Sequence, residues 1–221
     1  MILKTKELLK EYEHCGVVFP AVDRVNLELP KGKFVVLMGH SGCGKSTLFH
    51  MLAGMVRPTA GTIFYDGREM TTMSQKELAG IRCSSLGYVL QGQNLLKNFT
   101  IGENICMPNY MGKIEEDTFE YTKQLLKEFG LENMEMERPD RLSGGEQRRV
   151  SIIRALVHHP KLVIADEPTS NLDPVNAEII LNHLKKASEQ GTTVLISSHD
   201  SLARSYADIC WRMEKGIITK E

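Results

Sequence analysis

Phe34-Val35-Val36-Leu37-Met38 runs straight into Gly39-His40-Ser41-Gly42-Cys43-Gly44-Lys45-Ser46, an apolar stretch that breaks into a glycine-rich turn and ends on a lysine and a hydroxyl. A short apolar run bounded by such a turn reads as a buried strand. From Ser46 to Met55 the chain reads as a helix, with Leu48, Met51, Leu52 and Met55 at helical spacing. Strand, loop and helix in that order give the pattern G-x-x-x-x-G-K-[ST] the context in which it binds phosphate. Gly39, Gly42 and Gly44 let the backbone curl so that N–H groups point inward, and the helix start adds its positive end. Lys45 is expected to reach the β- and γ-phosphates and Ser46 to ligate Mg²⁺, with His40, Ser41, Cys43 and Thr47 completing the lining. This loop alone does not choose among ATPases, GTPases and kinases.

Outward from the loop, strands alternate with helices, the pattern of a mainly parallel sheet covered on both faces. Leu162-Val163-Ile164-Ala165 and Thr192 to Ser197 read as two further buried strands. Between them Asp173 caps a helix, Pro174 suits its first turn, Ala177, Ile180, Leu181 and Leu184 form its apolar stripe, and Gly191 ends it. Glu115 to Phe129 reads as another helix, with Phe119, Thr122, Leu126 and Phe129 on one face. The N-terminal stretch and Gly61 to Gly67 alternate and turn like antiparallel strands. The expected fold is α/β: a parallel core sheet, a small antiparallel flank and a helical insertion.

A chain of 221 residues holds one such domain with a full core. A net charge of −1 supplies no global attraction to nucleic acid or anionic membrane, and nucleic acid is not an expected partner. The five cysteines are scattered without a C-x-x-C pair, as in a reduced protein. Nothing approaches the roughly 20 apolar residues of a membrane helix, so work at a membrane would need a partner to hold the chain there.

Two more features carry chemistry. The strand from Leu162 ends in Asp166-Glu167, where acidic residues face the nucleotide crevice. Asp166 is expected to hold Mg²⁺ through water and Glu167 to orient the attacking water, although alone the pair equally describes a solvated acidic turn. Leu142-Ser143-Gly144-Gly145-Glu146-Gln147 opens a helix through Val150, Ile153, Arg154 and Leu156. A serine and two glycines there form a second anion-binding corner, which could serve another subunit's nucleotide or be a simple helix cap.

With these motifs in this order, the whole chain resembles the ATP-binding-cassette (ABC) ATPase family. That resemblance implies a single nucleotide-binding domain over 1–221, with 1–90 and 161–221 as ATP-binding core and β flank and 91–160 as a helical signature subdomain. It also implies ATP and Mg²⁺ as cofactors, ATP hydrolysis, and Glu167, His199 and Lys45 as catalytic residues. Gln91 looks like the glutamine that contacts Mg²⁺ and couples to the membrane subunit, with Gln93 a competitor. His199 looks like the switch histidine that senses the γ-phosphate, and Tyr12 like the aromatic that stacks on adenine. Ser170-Asn171-Leu172-Asp173 looks like the loop that crosses between paired subunits. In the implied head-to-tail homodimer, each nucleotide lies between Lys45 of one copy and Ser143, Gly144, Gly145 and Glu146 of the other.

Gly102 to Pro108 and Ala165 to Asp173 most resemble the group containing lipoprotein-releasing, macrolide- and peptide-exporting and cell-division ABC ATPases. That resemblance implies a separate integral-membrane permease, a place on the cytoplasmic face of the inner membrane, and export or extracytoplasmic release. A cell-division-type regulator and a non-transport ABC ATPase are the alternatives. Because the sequence ends soon after Gly216-Ile217-Ile218, no appended regulatory domain is expected. Ser170 stands where that group usually has glycine, and Arg148 where glutamine is common; neither is expected to touch the phosphate chemistry. Cys43 carries two expectations: a reactive thiol protected by nucleotide, or a small residue facing away from phosphate.

Overall fold

The computed structural model describes residues 1–92, 94–112 and 118–220. It begins with strands β1 (Leu3–His14), β2 (Val17–Val25), β3 (Glu28–Leu29) and β4 (Phe34–Met38), then helix α1 (Lys45–Leu52). Strands β5 (Ala60–Tyr65) and β6 (Arg68–Glu69), helix α2 (Gln75–Ser84) and strand β7 (Leu86–Val89) follow. Helices α3 (Ile101–Gly112), α4 (Phe119–Glu128) and α5 (Gly144–Leu156) come next, with a single 3-10 turn at Pro139–Arg141. The chain closes with β8 (Leu162–Ala165), α6 (Pro174–Glu189), β9 (Thr193–Ser198), α7 (Ser201–Ser205), β10 (Ile209–Glu214) and β11 (Ile217–Lys220).

Six strands form the main sheet in the order β11-β10-β4-β9-β8-β7. All its neighbours are parallel except the terminal pair β10 and β11. The smaller sheet is antiparallel, with β1 pairing β2, β3 and β5, and β5 pairing β6.

Alternation along β4 explains why its sequence is apolar throughout. Val35 and Leu37 point into one core with Leu48, Phe49, Met51 and Leu52 of α1 and with the antiparallel sheet. Phe34 and Val36 point the other way, into a core with Ile152 and Ile153 of α5 and Ile180, Leu181 and Leu184 of α6. A strand covered on both faces has no polar position to spare. Ile101, Leu125 and Leu126 belong to that second core, so segment 91–160 packs its apolar side onto the same sheet. Contact is closest at Gly87, where an added Cβ would stand 2.1 Å from the Ala155 carbonyl oxygen. Only glycine lets α5 lie that close to β7.

Two helices differ from expectation. α1 stops at Leu52 instead of Met55, because Gly54 turns left-handed (φ 64°) and leaves Met55 41% exposed. The predicted start of the helix at Glu115 lies outside the described residues. Within α4, Phe119 is exposed beneath the Lys123 ammonium, and Leu125 joins Thr122, Leu126 and Phe129 on the buried side. Among the described residues no helix is long and apolar enough to cross a membrane.

Candidate functional site

Register places the site. Met38 pairs Ser198 across β4 and β9, while Ala165 of β8 pairs Val89 on one side and Ile196 on the other. β4 and β9 therefore end together, β7 and β8 end together slightly short of them, and the residues just beyond these ends share one edge. Those residues are Gly39, Gln91, Asp166, Glu167 and His199, drawn from four separate places in the sequence.

The loop after β4 closes on Gly44, which precedes α1 at φ 111° with no side-chain cap on the helix. A Cβ there would meet the Ala21 carbonyl oxygen at 2.1 Å, so the cradle is built for backbone alone. The uncapped N–H groups at the start of α1 are what an anion would fill. Lys45 is 5% exposed, and its Nζ donates to the Gly39 and His40 carbonyls at 2.7 and 3.0 Å. Ser41, Gly42, Ser46 and Thr47 line the same cleft of about 270 Å³. His40 is exposed.

The packing of Cys43 accords with the second of its two expectations, a side chain facing away from phosphate. Its side chain packs against the apolar core, and its N–H closes the loop onto the His40 carbonyl at 3.4 Å. The thiol is not part of the phosphate cradle.

Three side chains converge at Glu167. Its carboxylate accepts from Gln91 Nε2 at 3.1 Å and lies 3.7 Å from Lys45 Nζ and 3.8 Å from His199 Nδ1. Glu167 itself adopts φ 46°, a left-handed conformation that is strained for a residue with a side chain. Asp166, 2% exposed, accepts from Ser197 Oγ at 2.6 Å, and the same oxygen accepts from the Glu167 N–H at 2.8 Å. Gln93 lies outside the described residues.

Hard oxygen donors suited to Mg²⁺ are present in Ser46, Asp166 and Gln91. No group of three His, Cys, Asp or Glu side chains among the described residues could hold a metal unaided. The donor set thus fits a cation that arrives with phosphate oxygens of its own.

Tyr12 sits at the cleft mouth opposite Phe19, with ring centroids 6.4 Å apart and planes inclined by 40°. The Lys10 ammonium lies 5.2 Å from the Tyr12 ring centroid. Phe19 was not singled out from sequence, yet hairpin arithmetic could have found it. The turn Cys15-Gly16 pairs His14 with Val17, and two steps back Tyr12 meets Phe19. Ser197 was missed as well, a buried hydroxyl at the end of β9.

Ser143, Gly144, Gly145, Glu146 and Asp173 do not line this cleft. Ser143 caps α5 in a capping box: its Oγ accepts from the Glu146 N–H, and the Glu146 carboxylate accepts from the Ser143 N–H and hydroxyl at 2.7 and 2.8 Å. Those hydrogen bonds hold the Glu146 carboxyl below its ordinary pKa. Asp173 caps α6 through the Asn176 N–H at 3.0 Å, and Asn176 Oδ1 accepts from Arg149 Nη1 at 2.6 Å. Both corners are exposed helix starts belonging to the same protomer but facing outside its own cleft.

A family model described as ABC transporter matches residues 22–170, from β2 through the phosphate loop to the turn after Glu167. The chain belongs to the ABC transporter family. ATP binding and ATP hydrolysis are accordingly its activity. Among relatives, the lipoprotein-releasing system ATP-binding protein LolD of Idiomarina loihiensis is 39% identical over 222 residues, covering 100% of this chain and 97% of that protein. LolD of Buchnera aphidicola is 39% identical over 218 residues, covering 98% and 95%. Among solved structures, the ATP-binding cassette MJ0796, a dimer in a post-hydrolysis state bound to ADP and Pi, superposes with a TM-score of 0.93 at 32% identity. That alignment covers 99% of this chain and 97% of MJ0796. A further dimeric structure of MJ0796, described as a bacterial ABC transporter cassette, aligns with the same score.

Proposed function

We propose that this chain is the ATP-driven subunit of a lipoprotein-releasing type of ABC system, acting on a separate permease at the cytoplasmic face of the inner membrane. The observation that carries this reading is the meeting of Lys45, Gln91 and His199 on the Glu167 carboxylate below a phosphate cradle. Full-length similarity to two LolD proteins supplies the substrate class.

Lys45 releases the Gly39 and His40 carbonyls and turns its ammonium to the β- and γ-phosphates. Tyr12 stacks on adenine, with Phe19 closing the other side of the base. Ser46, Asp166 and Gln91 would hold Mg²⁺, which would supply neutralisation of phosphate charge. Glu167 orients the attacking water and takes its proton, while His199 donates toward the γ-phosphate. A second copy contributes Ser143, Gly144 and Gly145 across the nucleotide. There the Ser143 hydroxyl exchanges its Glu146 acceptor for a phosphate oxygen, and Asp173 borders the junction. Closure excludes bulk water, so ATP binding performs the mechanical step and hydrolysis resets the pair.

Segment 91–160 is proposed as the signature subdomain, with Gln91 at its joint with the core. Exposed Leu96, Phe99, Tyr110 and Met111 lie on this segment and form the surface proposed for the permease. The test is reconstitution with that permease in vesicles carrying an acylated lipoprotein. ATP-dependent release of the lipoprotein, lost with Lys45→Ala, is expected; ATP hydrolysis without release, alongside transport of another substrate, overturns the substrate assignment.

A further inference from the structure

Two side chains from outside the cleft meet at one of its atoms. The Glu167 carbonyl oxygen accepts from Arg148 Nη2 at 2.5 Å and from Ser170 Oγ at 3.0 Å. These are two positions where the sequence departs from residues usual in the group it resembles, and both were expected to stand clear of the chemistry. Arg148 is 6% exposed, and its remaining bonds also go to main chain. Nε donates to the Pro168 carbonyl at 3.0 Å, and Nη1 to those of Leu90 and Gly92 at 2.7 and 3.0 Å. One guanidinium therefore ties the turn bearing Gln91 to the turn bearing Glu167.

Every acceptor of this buried cation is a neutral carbonyl. Burial pulls the Arg148 pKa down, and the nearby Asp166 and Glu167 carboxylates offset only part of that. Such a group costs desolvation that a neutral side chain would avoid. What an arginine supplies in return is a planar fork of five donors. A glutamine amide offers two N–H donors and a lysine three on one atom, too few or too bunched to serve both turns. The peptide units around Glu167 are gripped on both sides. Ser197 takes the N–H, Arg148 and Ser170 take the C=O, and φ stays at 46°.

We infer that Arg148 and Ser170 are positioning residues for Glu167, which keep its backbone in the strained conformation and make its placement follow that of the Gln91 turn. This rests on Glu167 acting on the attacking water, as proposed above. A partner that shifts the Gln91 turn then moves the Glu167 carboxylate through one rigid group, with no change in the phosphate cradle.

The experiment compares R148Q, R148K, S170G and R148Q/S170G with E167Q, using steady-state ATPase, fluorescent ATP-analogue binding and thermal melting. R148Q is expected to lower kcat about tenfold while KM and analogue affinity stay at wild-type values, because misplacing a catalytic group costs rate rather than binding. R148K is expected not to restore kcat. S170G alone is expected to cost about twofold, and the double variant more than the product of the singles, because the shared carbonyl then loses both holders. If R148Q does not fold, S170G against S170T decides, with Thr restoring what Gly loses. Wild-type kcat in R148Q/S170G or S170G, single losses that simply multiply, or effects confined to melting temperature and KM overturn the inference. Wild-type turnover by E167Q removes instead the reading on which it rests, and since E167Q leaves Arg148 and Ser170 in place the two failures are distinct.

Discussion

Replacing Ser197 with alanine tests how the catalytic edge is held. Ser197 is fully buried, and its hydroxyl links the Asp166 carboxylate to the Glu167 main chain. Alanine removes the 2.6 Å donor to Asp166 Oδ1 and the 2.8 Å acceptor of the Glu167 N–H in one step. Each buried group left unpaired costs about 1–3 kcal/mol, and the carboxylate belongs at the upper end. A loss of about 2–5 kcal/mol follows, a large fraction of a stability of roughly 5–15 kcal/mol. With a urea m-value of about 2–3 kcal/mol/M, the unfolding midpoint should fall by about 1–2 M. Asp166 also loses its orienting partner, so the Mg²⁺ concentration for half-maximal ATPase should rise about ten- to a hundredfold. Ser197→Thr, which keeps the hydroxyl, should recover the Mg²⁺ dependence even if its methyl group costs stability. The assays are urea denaturation followed by circular dichroism, and ATPase titrated with Mg²⁺ at fixed ATP. A Ser197→Ala midpoint at the wild-type value together with an unchanged Mg²⁺ requirement would refute this account of the edge.

Tyr12→Ala and Phe19→Ala should each raise the ATP KM about tenfold, the worth of a lost base–aromatic stack, with kcat preserved; a Phe19→Ala enzyme with wild-type KM removes Phe19 from the base site. The Asp66 carboxyl, bonded to Lys161 and Lys31, is held at about 2, below its ordinary value. A depressed carboxylate stabilises the fold fully above its unfolded value of about 3.9, and that contribution is lost as pH falls through about 2. Asp66→Asn should therefore lower stability at neutral pH and flatten its dependence between about pH 4 and 2, as read by denaturation across that range; parallel pH profiles for both proteins would contradict the ion-pair assignment.

Much of the fold was legible because buried parallel strands leave no ambiguity. β4 and β8 carry the bounds read from their apolar runs, and α6 is signposted by Asp173, Pro174 and its stripe. What was hidden depended on geometry that periodicity does not carry. Met55 continues the spacing of α1, but Gly54 ends the helix first. Phe119 fits the stripe of α4, yet the buried face is rotated toward Leu125. At the site, the sequence indicated the residues that the strand ends bring together, since loop motifs at such ends have few places to go. Residues that hold others were invisible. Ser197 reads as one more strand position, and Arg148 and Ser170 as tolerated departures. Their importance lies in which carbonyls and carboxylates they face, and only the packing of α5 against the ends of β7 and β8 reveals that.

In the proposed dimer a nucleotide is shared between the Lys45 loop of one protomer and the Ser143 helix start of its twin. Light scattering on size-exclusion peaks of the Glu167→Gln protein with MgATP measures whether that sharing occurs. A stable dimer is expected, reverting to monomer when Ser143→Arg is added, with ATP binding to the monomer retained. A Glu167→Gln protein that stays monomeric at saturating MgATP, or a dimer indifferent to Ser143→Arg, would contradict it.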